Sequence, residues 1–332
     1  MAVVAVDVRL VAVVDTLRLR RLVEESRSER MRTISAGALT ALALCLYAQA
    51  PNPQPVFATP EEAIHAVGDA AEHNDTAAML KLFGPAGKDL VSPAEDAGAR
   101  EERANFVRML HEKVQVERDA TNPNRVTFAV GKEDWPFPIP LVRDKAGKWY
   151  FDAAQGKTEV LARRVGRNEL NAIEVCRGYV EAQLQYANLD HDGDGNLEYA
   201  QKLVSSPGKQ DGLYWEGQPG SLVPKSFAAA AEAVAEAGKK REPYHGYYYR
   251  ILKSQGPAAD GGAINYVVKG EMIGGFAMVA WPADYGVNGV KTFIVNHKGV
   301  VYEKDLGPGT GTLAREMMQF NPDKSWHAVE KE

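Results

Sequence analysis

Asn168 to Tyr199 reads NELNAIEVCRGYVEAQLQYANLDHDGDGNLEY, and two regimes meet inside it. Up to Leu189 the apolar residues Leu170, Ile173, Cys176, Val180, Leu184 and Ala187 recur at spacings of three and four. That spacing puts them on one face of a helix of about six turns. From Leu189 to Tyr199 the helical period gives way to LDHDGDGNLEY, an acidic, glycine-containing loop. Upstream the chain reads as three helical patterns followed by strands. Downstream it is rich in Gly, Tyr and short strands. The fold class expected is α+β: N-terminal helices plus a curved antiparallel sheet, then a long helix and a C-terminal antiparallel sheet domain.

The loop has the chemistry of a calcium site. Asp190, Asp192 and Asp194 alternate and Gly195 follows, so carboxylate oxygens converge where glycine permits a sharp turn. Against the twelve-residue calcium-loop template, the three Asp occupy positions 1, 3 and 5, and Gly195 position 6. Asn196 offers a main-chain carbonyl at position 7, Leu197 is the apolar residue after it, and Glu198 stands at position 9. Gln201 falls at position 12, where a bidentate Glu is expected. That departure predicts weak calcium binding, with Glu198 or a more distant residue completing the shell. An acidic turn that is simply solvated is the alternative.

The 332 residues are enough for two domains. With 45% hydrophobic and 25% charged residues the composition is that of a globular protein. The net charge of −5 and the lack of a basic tract argue against nucleic-acid binding. Met31 to Ala50, MRTISAGALTALALCLYAQA, reads as a secretory signal peptide. Arg32 is its basic start, Ile34 to Tyr47 its apolar core, and Ala48-Gln49-Ala50 a small-x-small cleavage site. The core is too short to span a membrane, and Pro51, Pro53 and Pro55 follow at once. Leu44 precedes Cys45 where a lipoprotein signal needs a small residue. Residues 1–30, which include VRLVAVVDTLRLRRLVEESRSER, then read as a start-site extension. The expected organisation is signal 31–50, linker 51–57, N-terminal domain 58–160 and C-terminal domain 161–332. The mature chain carries no transmembrane segment and is exported to the periplasm or the outside. Cys176 is its one remaining cysteine, so no internal disulfide forms, and its place on the apolar face predicts a buried, inert thiol.

Thr59-Pro60-Glu61-Glu62 is a capping box opening a helix to about His73. Asn74 and Asp75 start a second helix, ended by Gly84-Pro85. Ser92-Pro93-Ala94-Glu95 opens a third, to about Glu112. The period then becomes two over Val114–Arg118, Arg125–Val130, Phe137–Arg143 and Lys148–Asp152. Three helices and a curved sheet are similar in pattern to NTF2-like and cystatin-like folds, a likeness without a function. His65, His73 and His111 are scattered and make no metal-binding pair. After the loop come an Ala-rich helix, Ser226–Ala237, and strands at Tyr244–Leu252, Ala263–Val268, Phe276–Trp281, Val290–Val295 and Val300–Lys304. Asn296-His297-Lys298-Gly299 is the clearest hairpin loop. A short helix is expected at Leu313–Phe320.

Four strings carry a resemblance: EVCRGYVEAQLQYANLDHDGDGNLEYAQKL, DGLYW, PYHGYYYRILKSQGPAADGGA and GGFAMVAWPADYGVNGVKTFIVNHKGVVYEKDLG. From about Ala58 to Trp326 the chain resembles the bacterial domain-of-unknown-function 2950 family. The resemblance implies an exported bacterial protein of unassigned function, with no established catalytic residues to carry over.

No Gly-x-Ser-x-Gly elbow, zinc-binding His-Glu-x-x-His or phosphate loop is present. Gly307-Pro308-Gly309-Thr310-Gly311-Thr312 lacks the phosphate-binding Lys and reads as a turn. Tyr247, Tyr248 and Tyr249, with Trp281 and Tyr285, either line a ligand groove or fill the core. Asp211, His245 and Glu271 are the acid/base groups that such a groove would use. Two functions stay open: a calcium-stabilised binding or envelope-structural protein, and a hydrolase acting on envelope material through the aromatic C-terminal sheet.

Overall fold

The structure is a computed structural model that describes residues 54–91, 97–231 and 242–330. The extension 1–30, the signal 31–50, the start of the linker, the capping box at Ser92 and the far end of the Ala-rich helix lie outside the described residues. The chain divides into two compact units between Arg163 and Arg164.

In the first unit, α1 (Pro60–Glu72) begins at Thr59, whose hydroxyl accepts the Glu62 amide at 3.2 Å. Glu62 reaches back to accept the Ala58 amide at 2.9 Å, so donors that a helix leaves open are satisfied. Asp75 caps α2 (Thr76–Phe83) by accepting the Ala78 amide. After α3 (Ala97–Glu112) come β1 (Val114–Arg118), β2 (Arg125–Val130), β3 (Trp135–Pro136), β4 (Leu141–Arg143) and β5 (Trp149–Phe151). They form one antiparallel sheet in the order β1-β2-β4-β5, with β3 on β2. Val126, Phe128 and Val130 alternate inward onto Ile64, Val67, Leu82 and Phe83. In the strand expected from Phe137, Phe137 donates its amide to the Phe128 carbonyl, but Pro138 and Pro140 have no amide for the ladder and regular strand pairing resumes at Leu141.

The long helix α4 (Ala153–Tyr186) begins well before Asn168, where the apolar period starts, and ends short of Leu189. Asp152 caps it by accepting the Gln155 amide at 3.0 Å. Gly156 fits there because a Cβ would come within 2.7 Å of Ile139.

The second unit adds α5 (Lys225–Ala231), β6 (Tyr247–Leu252), β7 (Ser254–Gln255), β8 (Ile264–Asn265), β9 (Val267–Val268) and β10 (Glu271–Met272). Then follow β11 (Ala277–Pro282), β12 (Lys291–Asn296), β13 (Val301–Asp305), α6 (Thr310–Glu316) and β14 (His327–Ala328). The main sheet is antiparallel with order β14-β13-β12-β11-β6, and β9–β10 is a separate hairpin. Every residue of β11 is buried, as is β12 after Lys291. Cys176, Tyr179 and Tyr186 of α4 belong to the same core. The Tyr179 hydroxyl donates to the Ala277 carbonyl at 3.3 Å, pinning helix to sheet. The last helix starts at Thr310, not Leu313, because Thr310 donates its hydroxyl to the Gly307 carbonyl and the glycine-rich run turns directly into helix.

Candidate metal centre

The acidic loop is wound by its own side chains. Asp190 Oδ1 accepts the amides of Asp192 at 3.3 Å and Gly193 at 2.7 Å, and Oδ2 accepts that of Gly195 at 2.9 Å. Asp192 accepts the Asp194 amide at 3.3 Å, and Asp194 the Asn196 amide at 2.8 Å. Asn196 Nδ2 also donates to Asp194 Oδ2 at 3.2 Å. Gly193 and Gly195 have φ of 79° and 88°, the left-handed region that disfavours a side chain. One oxygen from each of Asp190, Asp192 and Asp194 then lies within 4.8 Å of the others. Among the described residues no other three His, Cys, Asp or Glu meet in this way.

Both ends of the loop are anchored. His191 stacks on Tyr186 at 3.9 Å between centroids, and its Nε2 lies 3.0 Å from the Tyr186 carbonyl. Beyond the loop, the Tyr199 amide donates to the Met272 carbonyl at 2.9 Å, and Glu198 accepts the Met272 amide at 3.1 Å. Gln201 donates to the Gly270 carbonyl at 2.6 Å and accepts from Lys253 at 3.1 Å. Glu198 and Gln201 thus tie the loop to the β9–β10 hairpin.

That hairpin carries Glu271 to the loop, where its carboxyl feels the charges of Asp194, Glu198 and Asp192. Desolvation pushes Glu271 above the ordinary carboxylate range, and the negative charges of Asp194, Glu198 and Asp192 add to the push. Asp190 moves the other way, because the amides of Gly195 and Gly193 favour its charged form. Glu271 is the residue that spacing alone does not assign to this site. The Lys269-Gly270 turn between two short apolar runs marks a hairpin, but nothing local says which loop it meets.

The aromatic groups do not form one groove. Tyr247 and Tyr249 are fully buried on one face of the sheet, against Phe293 and Phe227. Tyr248 points to the other face, beside Trp281, which is 1% exposed. Asp211 accepts from Lys202 at 2.8 Å and from the amide and hydroxyl of Ser206, which closes its own loop. His245 sits at φ 50° against Tyr244, and burial lowers its pKa. Among the described residues no hydrogen bond or ion pair joins Asp211, His245 and Glu271. In the first unit His65 and His111 line one hollow of about 60 Å³ with Asp69 and Glu72, while His73 Nδ1 lies 2.8 Å from the Asp69 carbonyl. Cys176 is buried without a disulfide partner, and desolvation pushes its thiol far up.

A family model described as a protein of unknown function (DUF2950) matches residues 54–329. The chain belongs to this family. The match takes in the acidic loop, the hairpin that meets it and the main sheet of the second unit. Membership in DUF2950 assigns no activity, so these residues are read from their own chemistry. A search of curated proteins and of solved structures found no match. Among the described residues no helix is long and apolar enough to cross a membrane.

Proposed function

We propose that this is an exported protein, periplasmic or secreted, of binding or envelope-structural type, whose C-terminal unit is fastened by calcium. The observation that carries the reading is the convergence of Asp190, Asp192 and Asp194 oxygens within 4.8 Å. Three carboxylates so close repel one another unless a cation shares them. Asn196 adds its main-chain carbonyl. Gln201 is engaged at Gly270 and Lys253, and Glu271, whose charge is felt by the loop, is the candidate for the ligand that position 12 lacks. A shell assembled from a loop and a separate hairpin suits affinity of about 10⁻⁴–10⁻³ M, adequate outside the cytosol. Magnesium is a poor substitute, since it demands a rigid six-coordinate shell. The filled aromatic sheet and the closed Asp211 loop favour this reading over a hydrolase. Export rests on the pattern at 31–50, and the mature chain should begin near Pro51. Mass spectrometry of the exported protein tests that, and recovery of a chain starting at Met1 overturns it.

Thermal melting in calcium, magnesium or chelator tests the site. Calcium should raise the melting temperature of the wild type, magnesium should do so weakly, and Asp192→Ala should abolish the rise. Identical wild-type curves in millimolar calcium and in chelator would reduce the loop to a solvated turn.

A further inference from the structure

The sheet of the first unit ends differently on its two sides. Its β5 edge is closed by Phe57, whose amide donates to the Trp149 carbonyl at 2.8 Å and whose carbonyl accepts the Trp149 amide at 2.9 Å. The opposite edge is β1, and among the described residues no strand pairs with its outer side. β1 joins β2 from Val114↔Val130 to Arg118↔Val126. Just beyond each end of that register the Gly131 amide donates to the Lys113 carbonyl at 2.9 Å, and the Asp119 amide to the Arg125 carbonyl at 3.2 Å. Antiparallel ladders bond alternate pairs. The odd-numbered residues of 113–119 therefore turn their main chain toward β2. The amides and carbonyls of Val114, Val116 and Arg118 turn away from it.

This edge carries neither proline nor bulge, and its register is unbroken over five residues. Such a row of outward polar groups is a template for another strand. Val116 rests on the core, and the other four residues of β1 are exposed. The charges say which strand fits. Lys113 stands before β1, Glu117 and Arg118 end it, and Asp119 follows. A second β1 run antiparallel about Val116 sets Lys113 opposite the partner's Asp119 at both ends. Gln115 then meets the partner's Glu117, and Val114 meets the aliphatic stem of the partner's Arg118. Lys113 and Asp119 already pair within one copy, with Asp134 at 2.7 Å and Arg125 at 3.2 Å, so the contacts between copies extend a row of alternating charge. Pairing about Glu117 would set Glu117 against itself. Pairing about Gln115 would set Arg118 against Glu112, which is still helix.

We propose that β1 is a self-association edge: two copies pair antiparallel about Val116 on a two-fold axis and join their first-unit sheets into one. A strand edge buries little surface, so the pair forms and parts with concentration.

Sedimentation of the full chain over a concentration series gives the mass, and amide exchange in dilute and concentrated protein gives the surface. The mass should rise to that of a dimer. Exchange at Val114, Val116 and Arg118 should slow as the dimer fills, while Gln115 and Glu117, bonded to β2, stay protected throughout. Gln115 is exposed, so its charge can be changed without touching the core. Gln115→Glu sets a carboxylate against the partner's Glu117 and should move dimerisation to several-fold higher concentration. Gln115→Lys sets an ammonium there and should move it several-fold lower. A monomer at every concentration overturns the proposal and leaves the edge to an extended peptide of another protein. A dimer in which the Val114, Val116 and Arg118 amides exchange as in dilute protein also overturns it, as do two Gln115 variants that shift dimerisation the same way or not at all.

Discussion

Asp190 and Glu169 are both carboxylates fed by backbone amides, and they respond in opposite ways. Asp190 accepts three amides in an exposed loop, and those amides pull its pKa down. Glu169 accepts two amides under the sheet, yet burial outweighs them and pushes its pKa up. The same hydrogen bond favours the anion in both places, and at Glu169 the loss of solvation outweighs it. The loop is therefore left with negative charge that a cation can share, and Glu169 with a carboxyl that burial biases toward its neutral form.

The largest test separates the two regions by damaging one of them. Phe293 is fully buried against Tyr247, which holds Lys291 from below. Phe293→Ala should cost about 3–5 kcal/mol by urea unfolding and speed amide exchange at Val290 and Lys291. The calcium-dependent rise in melting temperature should survive, because the loop's carboxylates are untouched. Next comes the ion itself. At free calcium a hundred times the dissociation constant, stabilisation should reach about 2.7 kcal/mol. Glu169→Gln should leave that increment intact, and loss of it there would mean that the two carboxylate regions are coupled.

Cys176 lies on α4 between the two regions and is fully buried. Cys176→Ser should cost about 1–3 kcal/mol by placing a hydroxyl in the core. It should leave the calcium increment and the acid response unchanged. The native thiol should resist alkylation until the protein is denatured, and rapid labelling would contradict its buried place. The smallest effect is in the pH profiles. Asp190→Asn should remove stability that the wild type loses as pH falls below the ordinary aspartate range. Glu169→Gln should remove stability that the wild type loses as pH rises above the ordinary glutamate range. Equal slopes in both variants would erase the distinction.

Period and turn chemistry made the α+β class, the long helix and the main strands legible in the sequence. They missed the helix start, because α4 opens at Ala153 through an Asp152 cap and a Gly156 whose reason is Ile139. The two residues of β14 have no pattern of their own and are strand only because they pair with β13. Asp190, Asp192 and Asp194 were legible because their spacing is local. Glu271 was not, since a hairpin far along the chain brings it in. The tyrosine run illustrates the reverse problem. Consecutive residues look like one cluster, but the pleat sends Tyr248 to one face and Tyr247 and Tyr249 to the other.

Side-chain carboxyl titration by NMR, first in chelator and then in millimolar calcium, tests the contrast most directly. In chelator Asp190 should titrate below the ordinary carboxylate range and Glu169 above it. Calcium should then shift Asp190, Asp192, Asp194 and Glu271 and leave Glu169 where it was. Asp190 and Glu169 titrating on the same side of the ordinary range, or a loop whose carboxyls ignore calcium, would contradict the account.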